Sequence, residues 1–446
     1  MTASAPDLPE AGDLLELSIG EAVHGGWCVA RTKPGAGGPA APAGPGPVVF
    51  VRHALPGERV RALVTQSTSR FARADAVEIL DASADRVAPP CPHAHPGGCG
   101  GCDWQHASLP AQRALKAAVV RQQLRRIAGI ERDVSVEPLP GDQAGLGWRT
   151  RVKFAVSRDG VAGLHRHRSH DVLEIGECPI AHPLVTGAGV TGRTWRGAAA
   201  VEVAAAPRTG QRAVIVTGPA HAPEIAADTI LAGRSRPAVL RGDGYLRQRA
   251  AGRDWRVSAT GFWQVHPGAA DTLAAAVLDA LRPRPGDVAL DLYCGAGLFA
   301  GVLARAVGPT GAVTAIEADA AAVRDARHNL RPTPWAKVHR GDVATVLASH
   351  GPTGASLVVL DPPRTGTARP VIDLLSASPA ARIAYVSCDP ATLARDLALL
   401  GASGWRLEAL RAFDAFPMTH HVECLATLTR GPGGPPSIAA SAHVAG

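Results

Sequence analysis

The sequence predicts an α/β protein: a doubly wound, Rossmann-like sheet in its C-terminal part, preceded by a small OB-like β-barrel and a β-rich central domain. Three patterns predict it. Short apolar runs recur at barrel-like spacing over residues 13–82. From residue 271 onward, helix-like and strand-like periods alternate. A glycine loop, Asp291-Leu-Tyr-Cys-Gly-Ala-Gly297, lies between a predicted strand and a predicted helix.

Composition sets the outer bounds. A chain of 446 residues predicts about two to four domains. Its 46% hydrophobic content is enough for sizeable cores, and 49 Gly with 37 Pro stay below the range of low-complexity chains. Collagen, mini-proteins and wholly disordered chains are excluded. The net charge of +7 points to an anionic partner, nucleic acid first. Yet the only lysines are Lys33, Lys116, Lys153 and Lys337, and an Arg-, Ala-, Gly- and Pro-rich chain also follows from GC-rich codons. Charge alone leaves nucleic-acid binding open. The start, MTASAPDLPEAGD, has no apolar core of a secretory signal. The most apolar stretch is broken by Asp291, Arg305 and several Gly, and eight Cys do not form a secreted disulfide framework. A soluble cytoplasmic protein is expected.

The elements follow in order. Residues 1–12 read as a disordered start. LLELSIGEAV alternates, and HGGWCVARTK turns at Gly25-Gly26. Residues 34–47 read as an extended hairpin loop. PVVFVRHAL, ERVRALVTQ and ARADAVEIL complete a barrel over 13–82. Residues 83–262 form the central domain. It opens on a loop with three Cys, followed by a helix over 110–128 with Pro110 near its start and Gly129 past its end. RVKFAVSRDG and GQRAVIVTG are its clearest strands. Two basic stretches there favour a nucleic-acid-facing surface: Arg149, Arg151, Lys153, Arg158, Arg166 and Arg168, then Arg234, Arg236, Arg241, Arg247, Arg249, Arg253 and Arg256. Residues 263–430 form the doubly wound domain. Residues 431–446 read as a disordered tail.

In the glycine loop, Gly295 and Gly297 allow a tight turn and close approach to a ligand. Glu317 ends the next strand, where a carboxylate can accept from both hydroxyls of a ribose. The pattern fits dinucleotide binding and S-adenosylmethionine binding about equally. Downstream residues carry more chemistry. Asp361-Pro362-Pro363-Arg364 follows a buried strand, so Asp361 falls at the ligand crevice. Val386-Ser387-Cys388-Asp389-Pro390 ends the next strand. Asp389 is placed to cap the following helix, and a helix N-terminus beside Cys388 favours a nucleophilic thiolate.

Together these strings resemble the bacterial RNA 5-methyluridine methyltransferases, enzymes that modify carbon 5 of uracil in ribosomal and transfer RNA. The match runs from about residue 13 to 430, through VFVRHALPGERV, CGGCDWQHASLPAQRALK, GFWQVHPGAADTL, DLYCGAGLF, DPPRTG, YVSCDPATLARDL and FPMTHHVECLATL. The resemblance implies a TRAM-like barrel and a class I methyltransferase domain. Carbon 5 of uracil is a poor nucleophile. Thiolate addition at carbon 6 activates it, and a base then removes the carbon-5 proton. Cys388 matches the family nucleophile and Glu423 the base. Gln264, Tyr293, Gly295 and Glu317 fall at positions for S-adenosylmethionine, Asp361 at the cofactor or the uracil edge, and Asp342 toward the adenine. Leu298, His266 and Gly261 depart from the family pattern. Arg364 stands where adenine methylases carry an aromatic residue, and the absence of a second Cys there favours uracil over cytosine.

Cys91, Cys99, Cys102 and the remote Cys178 are the metal candidates. Three clustered Cys and one distant Cys look more like [4Fe–4S] ligation than the paired CxxC units of many zinc sites, and resemble the family's cluster pattern except that the gap from Cys91 to Cys99 is about two residues longer. His93, His95, His106 and His182 are expected to be structural or RNA-facing, and Cys28, Cys294 and Cys424 plain buried thiols. The expected partner is RNA, ribosomal ahead of transfer RNA, bound by a monomer with no membrane contact. Arg52, Arg59, Arg61, Arg70 and Arg73 supply charge on the barrel, and the target uracil is expected to be flipped from its stack. Two rivals remain: an NAD(P)-dependent iron–sulfur oxidoreductase and a non-catalytic RNA-binding protein.

Overall fold

The computed structural model describes residues 8–32, 46–141, 144–218, 224–234, 237–350 and 354–430. The expected disordered start (apart from residues 8–12), the bulk of the 34–47 loop, and the tail lie outside them.

The N-terminal sheet contains β1 (Leu14–Ser18), β2 (Ala22–Val23), β3 (Trp27–Arg31), β4 (Val48–Arg52), β5 (Arg59–Ser67) and β6 (Phe71–Asp81). They pair in the order β1-β5-β6-β4-β3-β2. Alternation places Val49, Val51, Val60, Ala62, Ala72 and Ala74 in its core at 2% exposure or less. Helix α1 (Leu109–Gln123) follows. Ser108 caps it and Pro110 sits in its first turn. A five-residue π-helical turn, Leu124–Ala128, extends it to Gly129, which is left-handed at φ 65°.

Next come β7 (Val136–Pro138), β8 (Arg151–Val156), β9 (Ala162–His165), β10 (Val172–Glu174), the short α2 (Pro183–Thr186), β11 (Ala200–Ala206), β12 (Gln211–Thr217), β13 (Thr229–Gly233) and β14 (Ala238–Arg241). All but β7 and α2 join a seven-stranded sheet, β10-β9-β8-β11-β12-β13-β14. A hairpin of β15 (Tyr245–Ala250) and β16 (Arg253–Ser258) leads on.

The C-terminal region is α3 (Ala269–Leu281), β17 (Val288–Leu292), α4 (Leu298–Val307), β18 (Ala312–Glu317), α5 (Ala320–Asn329), β19 (Ala336–Arg340), α6 (Val343–His350), β20 (Leu357–Leu360), α7 (Arg369–Ala377), β21 (Arg382–Ser387), α8 (Pro390–Ala402), β22 (Trp405–Asp414) and β23 (Glu423–Arg430). Its sheet runs β19-β18-β17-β20-β21-β23-β22-β7. The first five strands are parallel and β23 is antiparallel to β21. Parallel strands covered on both faces are apolar throughout: Val358, Val359 and Leu360 are fully buried.

Strand β7 departs from the sequence expectation. It lies within 83–262, yet it pairs in parallel with β22 and completes the C-terminal sheet. Helix α1 goes with it: Ala117 and Val120 share a core with Val358, Leu393 and Leu397. Deep in this packing Lys116 donates from Nζ to Asp414 Oδ1 (2.5 Å) and to the Phe416 carbonyl (2.9 Å). No helix among the described residues is long and apolar enough to cross a membrane.

Candidate active site

The parallel strands all end on one edge. Because β23 runs the other way, its first residue, Glu423, begins at that edge. Topology alone therefore gathers the ends of β17, β18, β20 and β21 with the start of β23. There they border a cleft of about 1120 Å³. Gln264, Tyr293, Gly295, Glu317, Asp361, Cys388 and Glu423 all line it. The residues singled out for catalysis and all but one of those for cofactor contact thus face one space. Asp342 does not line it; its carboxylate accepts from Thr345 N and Oγ1 at the start of α6.

The glycine loop has the backbone of a ligand cradle. Gly295 has φ 52° and Gly297 φ 89°, and a Cβ on Gly295 would project into open space. Tyr293 adopts φ 67°, a left-handed conformation that a bulky residue keeps only where its surroundings enforce it. Its amide and that of Cys294 both donate to Ile316 O, at 3.0 and 3.1 Å. Glu317 Oε2 accepts from Gly295 N (3.0 Å) and Oε1 from Asp319 N (2.8 Å), so its carboxylate is held at the rim with lone pairs to spare. Leu298 begins α4 and is buried. His266 is also buried, its Nδ1 accepting from Gly268 N at 3.1 Å.

The cleft is crowded with acids. Burial pushes the Asp361 carboxyl up to about 7. Burial, and then the charge of Asp361, raises Glu423 well above the usual carboxylate range, with Arg364 opposing. Burial and the Glu423 charge push the Cys388 thiol up to about 11, again against Arg364. The expected activation by a helix N-terminus is therefore outweighed in the RNA-free protein. Asp389 does cap α8, accepting from Ala391 N (3.0 Å) and Thr392 N (2.8 Å). The cation beside the thiol is Arg364, whose guanidinium also stands 3.4 Å from His421 Nε2. Sequence reasoning leaves Arg364 and His421 without a role in the chemistry, although both stand inside strings it singles out, DPPR and HHVE.

A second cavity, of about 380 Å³, adjoins the cleft through Gly100, Gly101 and Arg149. Cys91, Cys99, Cys102 and Cys178 all border it. Gly101 N donates to Cys99 Sγ (3.4 Å). Among the described residues, no three His, Cys, Asp or Glu side chains are grouped so that they could hold one metal ion. Cys28, Cys294 and Cys424 are buried.

Several basic residues are engaged in ion pairs or interior contacts, some at the surface and some buried. Arg52 is 2% exposed, with Asp103 at 3.7 Å, so it is no part of a barrel surface. Arg59 pairs with Glu16 and Asp81, and Arg61 with Glu78. Arg151 binds Glu202 and the carbonyls of Ala259 and Gly261. Arg253 donates to Asn329 O, and Arg256 pairs with Asp325, pinning the β15–β16 hairpin onto α5. Arg70, Arg158 and Arg168 remain exposed, whereas Arg236 lies outside the described residues.

Comparisons with known proteins agree with this arrangement. Residues 353–431 match the tRNA (uracil-5-)-methyltransferase family, 10–77 the TRAM domain and 267–372 the methyltransferase small domain. An uncharacterized RNA methyltransferase of Streptomyces avermitilis is 49% identical over 441 residues, covering 94% of this chain and 98% of that protein. The 23S rRNA (uracil(1939)-C(5))-methyltransferase of Alkalilimnicola ehrlichii is 34% identical over 416 residues, covering 86% and 92%. The crystal structure of the Pyrococcus abyssi tRNA (uracil-54, C5)-methyltransferase in complex with S-adenosyl-L-homocysteine shares the fold, with TM-score 0.70 at 22% identity, covering 93% of this chain and 100% of that one. With a TRAM barrel at one end, a methyltransferase sheet at the other and relatives matched over nearly their whole length, the chain belongs to the RNA uracil-C5 methyltransferase family.

Proposed function

We propose that this protein methylates carbon 5 of a uridine in ribosomal RNA through a covalent bond from Cys388 to carbon 6, acting as a cytoplasmic monomer. The observation that carries the reading is a thiol and a buried carboxyl facing one cleft beside a glycine cradle. The donor set fits S-adenosylmethionine: Gly295 leaves room, Glu317 presents lone pairs, and Gln264 and Asp361 border the same space. When bound, that cofactor supplies an electrophilic methyl group. Cys388, as thiolate, adds to carbon 6 of the uracil and shifts electron density to carbon 5, which takes the methyl. Glu423, as carboxylate, removes the carbon-5 proton; the sulfur–carbon bond then breaks and the 5,6 double bond re-forms. Arg364 stabilises both anions. Ribosomal RNA is favoured because the 34% identical relative that covers most of this chain is named for 23S rRNA. The test is methylation of RNA from cells lacking the protein, with 5-methyluridine mapped by mass spectrometry. Methyl transfer to ribosomal RNA is expected; transfer to tRNA alone overturns the choice of substrate, and no transfer overturns the reading.

We further propose that Cys91, Cys99, Cys102 and Cys178 hold a [4Fe–4S] cluster. Four sulfurs around one cavity, an amide donating to Cys99, and the cations Arg149 and Lys153 on the cavity wall suit a thiolate-ligated group that carries negative charge. Such a group would tie the 91–102 loop to the Cys178 segment. Anaerobic purification followed by iron, sulfide and zinc analysis decides it; stoichiometric zinc without iron is the refuting result.

A further inference from the structure

The turn between β2 and β3, His24-Gly25-Gly26, belongs to the barrel, yet it reaches both segments that carry the reactive groups. On one side His24 Nε2 donates to Asp389 Oδ2 at 3.0 Å. Asp389 directly follows Cys388, and its other oxygen caps α8. Burial works against the Asp389 carboxylate, but the His24 hydrogen bond and the Thr392 amide outweigh it and hold its pKa well below the usual range. On the other side Gly26 presses on Asp103: a Cβ there would stand 2.8 Å from the Asp103 side chain. Asp103 Oδ2 in turn accepts from His420 Nδ1 (2.6 Å) and His420 N (3.1 Å). The amides of Asp103 and Trp104 both donate to Met418 O at 3.1 Å. His420 lies three residues before Glu423, and its ring meets that of His24 edge-on, 6.3 Å apart. One barrel turn thus clasps the loop of the thiol and the loop of the carboxyl.

We propose that His24 is a positioning residue for methyl transfer: through Asp389 it fixes Cys388 relative to Glu423, so the barrel takes part in assembling the active site as well as in holding RNA. The inference rests on the roles given above to Cys388 and Glu423. An exposed pair such as His24–Asp389 adds little to stability, but small displacements of a nucleophile from its attack geometry cost much in rate.

The test uses the full chain with the substitutions His24→Ala and His24→Gln, S-adenosylmethionine, and substrate RNA with or without 5-fluorouridine. His24→Ala is expected to lower kcat and the rate of the Cys388–RNA adduct about 10- to 100-fold, with KM, RNA affinity and melting temperature unchanged. His24→Gln, whose amide can still donate to Asp389, is expected to recover most of the rate. A wild-type adduct rate and kcat in His24→Ala overturn the inference alone, as does a loss confined to RNA affinity. Absence of any adduct in the wild-type protein overturns the role of Cys388 and the inference together.

Discussion

The titration of Cys388 offers the sharpest test of the site's electrostatics. Burial and the neighbouring Glu423 charge push the thiol up from an ordinary value of 9.0 to about 11. The sign is that of an acid whose ionised form is disfavoured, so thiolate is scarce at neutral pH and accumulates as pH rises toward that value. At pH 8 a thiol near 9 is about one-tenth ionised and one near 11 about one-thousandth, so Cys388 should alkylate about 100-fold more slowly than an unburdened cysteine. In the RNA-free protein, iodoacetamide labelling of Cys388, followed by peptide mass spectrometry, should quicken about tenfold per pH unit from 7 to 10 without levelling. Arg364→Met removes the cation that opposes the shift, so labelling at pH 9 should slow further. A plateau by pH 9, or faster labelling in Arg364→Met, would refute the reasoning. The physiological corollary is that substrate entry must lower this pKa for the enzyme to work near neutrality. Labelling in the presence of a non-reacting RNA should therefore shift the profile to lower pH.

Four further outcomes are expected. Glu423→Gln should abolish turnover while a Cys388–RNA adduct accumulates on denaturing gels, because the carbon-5 proton has no acceptor. Gly295→Ala, placed at φ 52°, should cost about 1–2 kcal/mol in backbone strain, and calorimetry should show weaker binding of S-adenosylhomocysteine. Lys116→Met leaves Asp414 buried without its partner and should destabilise by about 3–5 kcal/mol in urea melts, whereas Lys116→Met with Asp414→Leu should recover most of it. Arg70→Glu with Arg168→Glu should weaken RNA binding and flatten its logarithmic salt dependence by about 0.7–0.9 for each phosphate that is no longer neutralised, whereas Arg256→Glu should loosen the hairpin against α5 and leave that slope unchanged.

The parts of the site that are legible in the sequence are those set by local chain geometry. A carboxylate or thiol that ends an apolar run falls on the sheet edge whatever the rest of the chain does, so Glu317, Asp361 and Cys388 need no tertiary knowledge. Glu423 is found through its string, and only the antiparallel course of β23 explains why it faces the others. What stays hidden depends on meetings between distant residues. His24 meets Asp389 across 365 positions, Lys116 meets Asp414 across 298 and Asp103 meets His420 across 317. No period or spacing encodes them. Arg52 shows the same limit from the other side: its charge counts toward a surface in the sequence, but the chain buries it against Asp103. The Cys388 environment differs from the expectation because the capping helix is local in the sequence, whereas the burial of the thiol and its nearness to Glu423 and Asp361 are set by tertiary packing.

Strand β7 and helix α1 bear on the order in which the protein is made. They leave the ribosome long before β22, the strand on which β7 pairs. Until Asp414 emerges, the Lys116 ammonium has no buried partner and favours water, so α1 cannot seat fully on its final face. Helix α1 and strand β7 must therefore wait, incompletely docked, for the C-terminal strands. The C-terminal region released by itself would in turn present the edge of β22 bare, an open template for pairing with other chains. The catalytic sheet is complete only with a strand synthesised near the beginning.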